Sequence, residues 1–140
     1  MIHKQAPSSA YALATYCCIG LSAGAYLTGI SKADIQLNEQ GYYLICLLFG
    51  LFASIVLQKV VRDKEDGQFV SNKFRAISVF AMASSLLLFV VGLYNADFSL
   101  SEKGFYAMSY ILAMFSTITA QKNEADKREL NKSIEPSEEE

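Results

Sequence analysis

Four stretches of this chain carry no charged side chain: those between Gln5 and Lys32, Gln40 and Lys59, Arg75 and Asp97, and Lys103 and Lys122. Each is close to the ~17–25 residues with which an α-helix crosses hydrocarbon. None alternates polar with apolar residues as a barrel strand must, and none has the polar face of a helix that lies against water. The pattern predicts an all-α membrane protein with four transmembrane helices, over about 6–30, 41–57, 76–96 and 104–120. The second window is the most apolar. Leu44, Ile45, Leu47, Leu48, Phe49, Leu51, Phe52, Ile55, Val56 and Leu57 each favour insertion by roughly 0.3–0.6 kcal/mol at mid-helix. The fourth, with Ser109, Ser116, Thr117 and Thr119, is expected to depend on packing against its neighbours.

The windows come in pairs because the chain is written twice. Leu37-Asn38-Glu39-Gln40-Gly41-Tyr42-Tyr43 returns as Leu100-Ser101-Glu102-Lys103-Gly104-Phe105-Tyr106, an ungapped offset of 63. Upstream, Gly29, Ala33 and Asp34 fall on Gly92, Ala96 and Asp97. Downstream, Gln58, Lys59 and Asp63 fall on Gln121, Lys122 and Asp126. A register that keeps polar and apolar identities alike marks a duplicated structural unit. The expected organisation is a tail (1–5), a first two-helix repeat (6–64), a connector (65–72), a second repeat (73–127), and a charged, disordered tail (128–140). Asp66-Gly67 reads as a turn. Asn38 with Glu39, and Ser101 with Glu102, read as helix N-caps with an acid in the first turn. Residues 122–132 are expected to prolong the last helix into water, with Glu124 and Arg128 spaced i,i+4.

Charge sets the orientation. The N-terminal tail, the middle connector and the C-terminal segment hold ten of the twelve Lys and Arg residues, and the two short connectors hold only Lys32 and Lys103. By the positive-inside rule both termini and the middle connector lie in the cytoplasm. Two helices per unit then give both units the same orientation. A secretory signal ending near Ala23-Gly24-Ala25 is the competing reading of the first window, but its cleavage would leave the first repeat with one helix. A net charge of −2 and a pI of about 5.4 leave no basic face for nucleic acid.

The paired Leu-Asn/Ser-Glu-x-Gly-Tyr/Phe-Tyr segments and the Gln-Lys-x-x-x-Asp that ends each unit resemble the YiaA/YiaB family of small bacterial inner-membrane proteins, in its longer, duplicated form. The resemblance covers about 23–127. It implies four helices in the bacterial inner membrane and no particular activity. The chain departs from the pattern at Ser31-Lys32, where the second copy keeps Tyr94-Asn95, and at Ala125, where the first copy has Arg62.

Candidate chemistry is sparse. Asp34, Glu39, Asp97 and Glu102 gather at one end and could attract a hard cation; the plainer expectation is that they cap helices and pair with Lys32 and Lys103. Tyr26, Tyr42, Tyr43, Tyr94 and Tyr106 are expected to form an aromatic belt. Gln58-Lys59 and Gln121-Lys122 should anchor helix ends, the lysines snorkelling to headgroups. Cys46, Gly50 and Ser54, with Ser109, Ala113 and Thr117, make small-residue stripes, and Gly20, Gly24, Ala81 and Ser85 offer matching seams. In lipid such stripes permit close backbone approach, within the chain or in a homo-oligomer. Cys17, Cys18 and Cys46 have no metal spacing and read as apolar fillers. With one histidine, His3, and no acid–base pair or nucleophile beside a base, neither catalysis nor a cofactor is expected. Partners are the lipid bilayer and another membrane protein or a second copy. The favoured role is a non-enzymatic packing or interaction module; the alternative is a path for a neutral solute along Ser109, Ser116 and Thr117.

Overall fold

The computed structural model describes residues 6–134. They form four helices: α1 (Ser9–Lys32), α2 (Leu37–Glu65), α3 (Asn72–Asn95) and α4 (Leu100–Ile134). Local chemistry sets their ends. The Ser8 and Ser71 hydroxyls accept from the Tyr11 and Phe74 amides at 3.1 and 3.2 Å, satisfying donors that the first turn leaves orphaned. Helix α2 stops at Gly67, whose φ of 72° suits a residue without Cβ. There the Gly67 and Gln68 amides donate back to Lys64 O and Asp63 O, a Schellman closure.

The caps of α2 and α4 lie two residues earlier than the sequence suggests. The Glu39 carboxylate accepts from the Gln36 amide at 2.8 Å. Ser99 and Glu102 close a full capping box, at 3.0 Å to the Ser99 amide and 3.2 Å to the Ser99 hydroxyl. Asn38 and Ser101 are therefore inside their helices. The acid decides the register, because a glutamate reaches back three residues to the cap rather than one. Helix α4 also runs on to Ile134, so 128–134 is helical rather than tail; 1–5 and 135–140 lie outside the described residues.

Helices joined by the short connectors are not the ones that pack. Helix α1 lies along α4, α2 along α3, and α2 against α4 at the centre, whereas α1 and α2 meet only slightly. Each helix thus finds its main partner in the other repeat. At the interior, Tyr26 and Tyr110 are fully buried, with Tyr43, Tyr106 and Phe89 close behind. Phe89 stacks on Tyr110 at 4.0 Å, and Tyr26 meets Tyr106 edge-on at 6.1 Å. Large apolar side chains point outward instead: Leu21, Ile45, Phe52, Phe80, Leu87 and Phe115 are each at least 63 % exposed. That is an inverted distribution, suited to lipid and costly in water. Helices α1, α2 and α3 are long and apolar enough to cross a membrane. Helix α4 is longer, at 35 residues, but carries hydroxyls and a charged continuation.

Two features of the interior differ from expectation. Tyr26, Tyr43 and Tyr106 are buried rather than in an interfacial belt, and of the five only Tyr94 is largely exposed. Glycine makes the space. A Cβ on Gly29 would fall 2.8 Å from Tyr106 Cε1, and one on Gly50 2.9 Å from Tyr110 Cζ; one on Gly92 would fall 3.1 Å from Tyr42 Cζ. Conversely, Gly20 and Gly24 are exposed with nothing near their absent Cβ. The buried face of α1 runs through Thr15, Ser22, Tyr26 and Ile30. Two residues on either side of Ser22 is about 200° round the helix, so that glycine pair does not form an internal seam.

These contacts make a clear contrast. Gly50→Ala should destabilise the protein in detergent by about 1–3 kcal/mol through overpacking against a ring that cannot yield. Gly20→Ala and Gly24→Ala should leave the thermal midpoint unchanged or raise it. A midpoint scan of the three variants checks this.

Candidate functional site

The ends of α1 and α3 and the starts of α2 and α4 surround an open vestibule of about 680 Å³. The duplication shapes its wall. Gly29 and Gly92, Ala33 and Ala96, Asp34 and Asp97, Ile35 and Phe98, Glu39 and Glu102, and Tyr43 and Tyr106 line it in pairs one repeat apart. Lys32 is matched by Asn95, and Tyr42 is present without its counterpart, Phe105. Sequence repetition has become a cavity with two similar halves.

Aromatic rings form one layer of this wall. Phe98 lies 5.0 Å from Tyr106 and 6.0 Å from Tyr43, and Tyr43 meets Tyr42 at 5.5 Å. Their hydroxyls tie helices together. Tyr43 donates to Gly92 O at 3.0 Å, Tyr42 to Leu88 O, and Tyr26 to Tyr43 O at 2.9 Å. Deeper in, Tyr110 donates to Cys46 O at 3.1 Å. Backbone carbonyls inside a helix keep a second lone pair, so each can accept without losing its own helical bond.

Carboxylates form the other layer. Glu39 and Glu102 cap α2 and α4, as expected of them. Asp34 and Asp97 are exposed and follow the C-caps of α1 and α3, Ala33 and Ala96. The expected pairing with lysines is not formed: Lys103 Nζ donates to Tyr94 O at 3.0 Å and sits 5.9 Å from the Tyr94 ring centroid. No ion pair among the described residues holds Lys32. The backbone carbonyl at the end of α3 competes better for Lys103 because it is fixed, whereas the acids face open solvent. No group of three His, Cys, Asp or Glu side chains among the described residues is placed to hold a metal ion.

The remaining sequence candidates fall elsewhere. Leu37 and Leu100 are among the most exposed residues, and Gly41 and Gly104 have open space where a Cβ would be. Lys59 and Lys122 form matching i,i+4 ion pairs with Asp63 and Asp126 at 2.6 and 2.9 Å at the opposite end, beside half-buried Gln58 and Gln121. Cys46, Gly50, Ser54, Ser85, Ser109, Ala113 and Thr117 are buried, with Ala81 partly so. The hydroxyls there turn back on their own helices: Ser54 to Gly50 O, Ser85 to Met82 O, Ser109 to Phe105 O, Ser116 to Leu112 O and Thr117 to Ala113 O. Sequence reasoning missed Tyr110 and Phe89. The signal was available, since each sits opposite a differing residue of the other repeat, Leu47 and Tyr26.

The geometry separates two contributions. Ser99→Ala, which removes a cap, should cost about 1 kcal/mol. Tyr43→Phe should cost a similar ~0.5–1.5 kcal/mol by removing a bond between helices. Both losses are read from detergent-solubilised thermal unfolding.

Comparison with known proteins agrees with the repeat. The family model for the yiaA/B two helix domain (YiaAB) matches residues 11–63 and again 74–126, the same 63-residue offset. The chain is 37 % identical over 119 residues to Inner membrane protein YiaA of Escherichia coli (strain K12), covering 85 % of this chain and 82 % of that one. It is 39 % identical over 62 residues to Uncharacterized membrane protein YubF of Bacillus subtilis (strain 168), covering 44 % and 71 %. No solved structure matches. With the domain present twice over most of its length, the chain belongs to the YiaAB family of membrane proteins.

Proposed function

We propose that this is a multi-pass protein of the bacterial inner membrane, not an enzyme, whose four helices all span the bilayer as two tandem hairpins of the same orientation. Both termini and the middle connector are cytoplasmic, and the vestibule opens on the outer side. The observation that carries the four-span reading is the apolar surface of α4. Met108, Ile111, Leu112 and Phe115 are exposed, while Ser109, Ser116 and Thr117 are buried with their hydroxyls bonded within the helix. A helix of modest overall hydropathy can span when its polar groups face a partner rather than lipid. The ten-to-two division of Lys and Arg supports the orientation.

As to role, the protein acts as a packing and interaction module. Among the described residues the buried polar side chains are hydroxyls and the Asn123 amide, not the ionisable groups with which coupled transporters move protons or ions. A route for a neutral solute past Ser109, Ser116 and Thr117 is the weaker reading, because those hydroxyls are committed to backbone carbonyls. The partner-facing surface is the charged end of the bundle, where α4 continues beside α2 through Arg62, Asp63, Arg128 and Lys132.

Reporter fusions test the topology. A periplasm-dependent reporter inserted within 33–36 or 96–99 should be active, and one at the C-terminus inactive. Activity at the C-terminus with silence in either loop would overturn the arrangement. For the role, in-membrane crosslinking of the full chain should give a discrete adduct that is lost when the chain is cut after Asn123. Only uncrosslinked protein in both would refute an interaction module.

A further inference from the structure

Helices α3 and α4, neighbours in sequence, scarcely touch, and an apolar groove of about 340 Å³ runs between them. Its floor is the Phe89–Tyr110 stack, with ring centroids 4.0 Å apart and both side chains buried. Its rims include Val90 and Ile111, each more than half exposed on the apolar outer surface. Along α3 it extends from Leu86 to Tyr94, about 12 Å of helix. The duplication shows how the groove arises. The first repeat has Leu44 where Ala107 stands. Where Phe89 stands it has Tyr26, whose hydroxyl ties α1 to α2 through Tyr43 O. A smaller side chain and a missing tie leave the second hairpin open.

One end of the groove is chemically different. Among the described residues Lys103 is the only charged member of its wall, and it is particular to the second copy, since the first has Gln40 there. Its ammonium donates to Tyr94 O at 3.0 Å and lies 5.9 Å from the Tyr94 ring centroid, which fixes it at the mouth. An ammonium has three N–H donors, so two remain. The adjacent acid, Glu102, is engaged in capping α4 through the Ser99 amide. An apolar trough that ends in one fixed positive charge is complementary to an amphiphile with an anionic head. Its volume also selects the occupant. A helix ~10 Å across and equally long displaces roughly three times as much, whereas a single hydrocarbon chain is slender enough to lie within it. We propose that the groove between α3 and α4 binds one anionic phospholipid, an acyl chain lying over Phe89 and Tyr110 and the headgroup phosphate meeting the Lys103 ammonium. The site rests on the reading that α4 crosses the bilayer beside α3; orientation decides only which leaflet supplies the lipid.

Native mass spectrometry of the full chain in mild detergent tests this with dioleoyl phosphatidylglycerol and dioleoyl phosphatidylcholine, which share their chains and differ in headgroup charge. Phosphatidylglycerol should give one saturable adduct, bound about fivefold more tightly than phosphatidylcholine, as one lysine beside a phosphate provides. Lys103→Gln, which installs the first copy's residue, should bring the two lipids level. Lys32→Gln removes the same charge elsewhere at that end of the bundle and should leave the preference intact. Ala107→Leu, again the first copy's residue, should abolish both adducts by filling the groove. Because Ala107 is partly buried, Val90→Trp on the exposed rim supplies a second closure if that variant fails to fold. Equal binding of the two lipids by the unchanged chain, or equal losses with Lys32→Gln and Lys103→Gln, would overturn the proposal. So would undiminished adducts in a folded, closed variant, or a dimer in place of the adduct. Reporter activity on the wrong side of the membrane would overturn the topology alone and leave these outcomes unchanged.

Discussion

Between apolar helices surrounded by lipid there is little hydrophobic attraction to exploit, so close contact and internal hydrogen bonds must hold the bundle. In this chain the two requirements are met by one device, a tyrosine laid against a glycine of a crossing helix. Tyr42 and Tyr43 reach Gly92 and its neighbour Leu88, Tyr106 packs on Gly29, and Tyr110 covers Gly50 while bonding to Cys46 O. The absent Cβ lets the ring approach, and the hydroxyls of Tyr42, Tyr43 and Tyr110 each find a carbonyl with a spare lone pair. The rest of the architecture depends on this: where the rings enter is where the helices cross, and the vestibule is the room left above them.

The duplication is used, but not slavishly. Gly29 and Gly92 play matching parts, as do the Lys–Asp pairs at the opposite end and the two glutamate caps. At the centre the copies diverge. Tyr26 answers Phe89, and Leu47 answers Tyr110, so in each pair one copy carries a phenol hydroxyl and the other a purely apolar side chain. A strictly symmetric core would put two bulky tyrosines or two leucines at the same crossing, giving either a clash or a void. Divergence at these few positions lets the halves interlock.

Much of the fold was legible because membrane helices announce themselves by the absence of charge, a signal that survives any tertiary arrangement. The repeat was legible because polar identities such as Glu39 and Glu102 recur with the apolar ones. What escaped was which face turns inward. In lipid both faces of a helix are apolar, so the usual contrast that reveals the core is missing. Gly20 and Gly24 looked like a seam on spacing alone, yet the buried line passes through Ser22 and Tyr26 instead. Likewise the belt tyrosines could not be sorted into buried and exposed until Gly29 and Gly92 were seen to make room. The acids of the candidate site were found from sequence, but their relation to the rings and to one another was not, since it arises only when the second repeat closes over the first.

The crossed pairing of helices has a bearing on biogenesis. When α1 and α2 have emerged from the ribosome, each still lacks the helix it leans on most; α2 gains its companion with α3, and α1 waits for α4, the last to be made. Neither hairpin is a finished subassembly at any point in synthesis. Physical linkage of the two copies therefore guarantees that every molecule inserted into the bilayer arrives with the mate it needs, in equal number and close at hand.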